Sequence, residues 1–84
     1  MPRFFFHVLN DASFLRDEEG QELQNLEAAC KEARRAIGEI IAQEVAAELN
    51  TVHLSVMVDD ETGARAANIK AVTHIVFSVS PFSD

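Results

Sequence analysis

The segment LEAACKEARRAIGEIIAQEVAAEL, Leu26 to Leu49, decides the fold. Leu26, Cys30, Ala33, Ile37, Ile41, Val45 and Leu49 recur at steps of three or four residues, with Ala29 and Ile40 beside them, which draws one apolar stripe along a helix. Lys31, Glu32, Arg34, Arg35, Glu39, Gln43 and Glu48 fall mostly on the other faces. Asn25 is suited to cap the N-terminus, Glu27 complements the helix dipole and pairs with Lys31 at i,i+4, and Asn50 is a C-terminal stop. Gly38 sits mid-helix at a cost of about 1 kcal/mol relative to alanine, which close packing against another backbone would explain. A long helix with a single apolar face needs a surface to cover it, and the flanking segments supply one.

Upstream, Phe4 to Leu9 is rich in aromatic and branched residues and reads as a strand. Asn10-Asp11 is turn chemistry, Ala12 to Arg16 a short return strand, and Asp17-Glu18-Glu19-Gly20 a loop in which Gly20 supplies a positive φ. Downstream, Val52, Leu54, Val56 and Val58 alternate with His53, Ser55 and Met57, the period of a half-buried strand. Asp59 to Gly63 is a turn. Ala64 to Ala71, built of small residues, is compatible with a loop, a strand or a helical turn. Val72 to Val79 alternates again, with Thr73, Ile75, Phe77 and Val79 on one face, and Pro81 ends it. The expected architecture is α+β in the order ββαββ, an antiparallel sheet with one long amphipathic helix on one face, as a single domain over residues 1–84.

Bulk properties narrow the function classes. The chain has 84 residues, 48% of them apolar, too many for a disordered segment, and a formal net charge of -7. A domain this small buries only about two-thirds of its unfolded surface, and oligomerisation is a common way to widen its stability margin. The negative field repels phosphate backbones and anionic lipid, so neither nucleic acid nor a membrane is an expected partner; a basic protein is the partner such a field favours. The single cysteine, Cys30, cannot close an intrachain disulfide and lies on the helix stripe, where it reads as a buried structural residue. No segment approaches the roughly 20 apolar residues of a membrane span, and the apolar run at Phe4 to Phe6 is too short for a signal peptide, so the cytoplasm is the expected compartment.

The side chains that carry chemistry are few. If Phe4, Phe6 and Val8 face the helix, then His7 faces away, and alternation in the later strands puts His53 and His74 on that same outer face. Three imidazoles on one rigid surface are what a zinc, nickel or copper site requires. The simpler reading is that they touch solvent or a second subunit. Phe5, Leu9, Met57 and Val76 share that outer face, and an apolar patch on a small protein marks an interface, such as the contact of a back-to-back homodimer. The helix stripe also outruns the strands, which makes Val45 and Leu49 candidate contact residues. No Cys-His or Ser-His-Asp spacing is present, the acidic run Asp17, Glu18, Glu19, Glu22 reads as a solvated loop, and Asp59-Asp60-Glu61 lacks EF-hand spacing. The sequence therefore points to a non-catalytic interaction module with no cofactor, and, as the alternative, to a metal-binding protein using His7, His53 and His74.

The opening Met1-Pro2-Arg3-Phe4-Phe5-Phe6-His7, followed by Asp17-Glu18-Glu19-Gly20-Gln21-Glu22-Leu23 and Leu26-Glu27-Ala28-Ala29, resembles a family of short proteobacterial, rhizobial-type proteins of unknown function that begin Met-Pro-Arg-Tyr-Phe-Phe-His. The segment Val56 to Gly63, a strand running into an acidic turn, is similar as well. The resemblance covers about the first three-quarters of the chain and implies an α+β fold and a bacterial cytoplasm. It implies no activity. The tail departs from the pattern, because Ala64 to Ala71 stands between that glycine and the closing strand.

Overall fold

The computed structural model describes residues 1–47 and 51–81, and its elements run β1 (Arg3–Asn10), β2 (Phe14–Leu15), β3 (Gln21–Glu22), α1 (Leu26–Ala46), β4 (Thr51–Asp59) and β5 (Arg65–His74). The α+β architecture is as expected: one antiparallel sheet with strands before and after a single helix. The sheet runs β2-β1-β4-β5, and β3 pairs with β1 as well.

Helix α1 starts at its cap. The Asn25 side chain accepts a hydrogen bond from the Ala28 N–H at 2.8 Å, satisfying one of the orphan donors of the first turn. The helix lays its stripe on β4 and β5. Ala29 and Ala33 are fully buried and Ile37 is nearly so, so small side chains let the helix backbone approach the sheet. They meet Val52, Leu54, Val56 and Val58 of β4, together with Phe4 of β1; Phe6, Val8, Ile69 and Ala71 pack around this core. Gly38 does not serve close packing. It is exposed, and a Cβ added there would have no neighbour within 4 Å. The helix end Ile41 and Val45 is half-buried, whereas Leu49 and Asn50 lie outside the described residues.

Register explains the rest. β1 pairs with β4 so that Phe6 opposes Val58 and Val8 opposes Val56 on the helix side, leaving His7 opposite Met57 on the outer side. β4 pairs with β5 so that Val56 opposes Ile69 and Leu54 opposes Ala71. The ambiguous small-residue segment is therefore the body of β5. The alternating run Val72 to Val79 is not a strand to its end: β5 stops at His74, residues 75–81 have no regular structure, and Phe77, expected on the inner face, is 65% exposed. Among the described residues the ladder ends where His74 meets Thr51, the first residue of β4. A second departure is β3, a two-residue strand between the Asp17–Gly20 loop and the helix cap, with Glu22, read as part of a solvated acidic loop, in it.

Candidate functional site

Two short strands share one edge of β1. Val8 and Leu9 pair with Leu15 and Phe14, and Arg3 and Phe4 pair with Glu22 and Gln21. Between these ladders the middle of β1 faces the loop Arg16 to Gly20, and there a side chain takes over from backbone. The Phe6 N–H donates to Asp17 Oδ2 at 3.0 Å. Asp17 Oδ1 accepts from the Gly20 N–H at 3.0 Å and the Glu19 N–H at 3.2 Å, which folds the loop back on itself. Gly20 has φ 71, and a Cβ there would lie 2.9 Å from the Phe4 carbonyl oxygen and 2.9 Å from the Phe5 ring. Only glycine fits.

The Asp17 N–H in turn donates to His7 Nδ1 at 3.1 Å. A backbone N–H can only donate, so Nδ1 must be the bare nitrogen and the ring proton sits on Nε2, which donates to Asp59 Oδ2 at 3.1 Å. Asp59 stands diagonally across the β1–β4 ladder, one same-face step past His7's partner Met57, and its other oxygen accepts from Arg65 Nε. A register shift at Val58/Asp59 sets Arg65 opposite Asp59. His7 is 8% exposed, and the Phe14 ring lies tilted beside it with centroids 6.0 Å apart.

Burial alone would raise the Asp17 carboxyl, but the N–H groups of Gly20, Phe6 and Glu19 outweigh it and hold the group below its usual range. For Asp59 the hydrogen bond from Arg65 dominates and lowers the carboxyl, against the opposing effect of burial. These groups line an open cleft of about 410 Å³ whose rim carries Glu18, Asp60 and Glu61. Both nitrogens of His7 and both oxygens of Asp17 and Asp59 are engaged by protein partners. The cluster is a clasp that closes a sheet edge.

The histidines do share the outer face, but they are not gathered. His7 opposes Met57, four residues along β4 from His53, a separation of roughly 13 Å at the rise of a strand. His53 opposes Val72, and His74 opposes Thr51, whose hydroxyl lies 2.8 Å from His74 Nδ1. Among the described residues no group of three or more His, Cys, Asp or Glu side chains could hold a metal ion. Of the interface candidates, Phe5, Met57 and Val45 are half-buried, Leu9 is 42% exposed and Val76 is 75% exposed. Sequence reasoning missed Phe14 and Val72, which stand on the same outer face at 53% and 68% exposure. It also missed the role of Asp17, for which the spacing Asp17-x-x-Gly20 was the available signal. No helix is long and apolar enough to cross a membrane among the described residues.

The family described as "Domain of unknown function (DUF6894)" matches residues 3–83, and the chain belongs to it. No curated protein and no solved structure matches the chain.

Proposed function

We propose that this member of the DUF6894 family is a non-catalytic protein-interaction module that associates with copies of itself through the outer face of its sheet. One observation carries the reading: the helix covers one face only, and Phe14, Leu9 and Val72 stand exposed across the other, with half-buried Phe5 and Met57 between polar neighbours. Apolar side chains spread over a rigid two-dimensional surface favour a flat contact. The engagement of His7, Asp17 and Asp59 inside the clasp supports a binding role over a chemical one. Light scattering after size-exclusion chromatography tests this at tens of micromolar. The expected result is a mass above that of one chain, which falls in Leu9→Glu/Phe14→Glu with the circular dichroism spectrum unchanged. A wild-type protein of single-chain mass that retains no partner in a pull-down overturns it.

A second reading has its own observation. Glu18 and Glu61 project their charge at the cleft rim beside Asp60, a surface complementary to a basic protein. Capture that weakens steeply with salt and is lost in Glu18→Gln/Glu61→Gln would favour it.

A further inference from the structure

The two edges of the sheet differ, and the open one has a built-in complement. Among the described residues β5 pairs with β4 alone, so one side of its ten-residue backbone is unpaired. Directly after it comes Ile75-Val76-Phe77-Ser78-Val79, a stretch of strand-forming residues that lies outside any strand, with Val76 75%, Phe77 65% and Val79 88% exposed. Among the described residues an open strand edge and a strand-forming stretch outside the sheet lie end to end.

We propose that β5 and this tail pair antiparallel with the same segment of a second copy, about a two-fold axis near Val72, joining the two sheets into one. Three features select a second copy as the occupant. First, the geometry is self-complementary: an axis at Val72 sets residues 75–79 of one copy against residues 65–69 of the other, so each tail gains a partner and each open edge is closed. Second, the inner faces fit. Ala67, Ile69, Ala71 and Thr73 face the helix side, and continued alternation would bring Phe77 beside the small Ala67 of the second copy and Ile75 beside its Ile69, extending the core. Third, charge is segregated. The chain carries a net charge of -7, yet no Asp or Glu occurs from Ala64 to Pro81. This strand is where two copies approach without carboxylate repulsion, and in this register Lys70 meets His74 and Arg65 meets Val79. The proposal uses an edge, not the outer face, and stands independently of the reading above.

Light scattering on the full chain, a chain ending at His74 and Leu9→Glu/Phe14→Glu separates the two surfaces. The tail is exposed, so the truncated chain is expected to keep its helical spectrum. The expected result is a mass that the truncation lowers, in the wild-type background and in Leu9→Glu/Phe14→Glu alike. The second measurement is amide exchange of the full chain over a concentration series: the β5 N–H groups that point away from β4 are expected to gain at least tenfold protection as the mass rises. Association abolished by Leu9→Glu/Phe14→Glu but untouched by truncation, with those amides unprotected, overturns the edge pairing and leaves the outer-face contact standing. A strictly monomeric full chain with unprotected amides overturns both.

Discussion

The β1 edge and the β5 edge belong to one sheet but are finished in opposite ways. Along β1, two two-residue strands and one aspartate account for the backbone: Asp17 stands in for a strand where the ladder is interrupted and is itself held by His7. Along β5 no described segment does this work. Unpaired N–H and C=O groups in water cost nothing until something covers them, but they template further pairing. An edge closed by side chains is committed to the monomer; an edge left open with a loose strand former beside it is not.

That contrast breaks most severely at Gly20. Gly20→Ala introduces a Cβ 2.9 Å from backbone oxygen at φ 71, and we expect a loss of about 2–5 kcal/mol, combining left-handed strain with overpacking. Chemical denaturation would show it, and an unchanged midpoint would mean that the loop is not clasped as described. Asp17→Asn comes next. It removes one carboxylate oxygen from three N–H groups, and about 1–3 kcal/mol should be lost at pH 7. The sign with pH follows from the lowered carboxyl: its stabilisation is present above the unfolded-state value of about 3.9 and is lost as pH falls through the lower folded value. The wild-type advantage over Asp17→Asn should therefore shrink below about pH 4; a gap that stays constant down to acid would assign the clasp to another group.

Gly38→Ala sharpens the comparison with the opposite sign. The added methyl meets nothing, and the helix should gain about 1 kcal/mol in thermal denaturation. Smallest of all is Val72→Thr on the open edge, expected to move the stability of dilute, dissociated protein by less than about 0.5 kcal/mol. A larger loss in dilute protein would show that the β5 edge is already covered within one chain.

Local pattern carried much of the fold. The 3.6-residue stripe gave α1 and its Asn25 cap, strict alternation gave β4 and its buried face, and Gly20 was recognisable as a positive-φ residue. Each of these is written within a few neighbouring residues, because helix and strand periods are local properties. The extent of the last strand was not: Val72 to Val79 alternates throughout, yet β5 ends at His74, while the weakly patterned Ala64 to Ala71 becomes strand because β4 presents it with a ladder. Backbone hydrogen bonds override local propensity where a partner strand presents them.

The amino-acid sequence by itself determined one amphipathic helix, the strands that face it and an excess of negative charge. Only the tertiary structure decided the clasp and the open edge. His7 lies 10 residues from Asp17 and 52 from Asp59 along the chain, so no window of sequence holds the cluster. It exists because the register of β1 on β4, with the shift at Val58/Asp59, brings those positions to one end of the sheet, and register is set by the packing of whole faces.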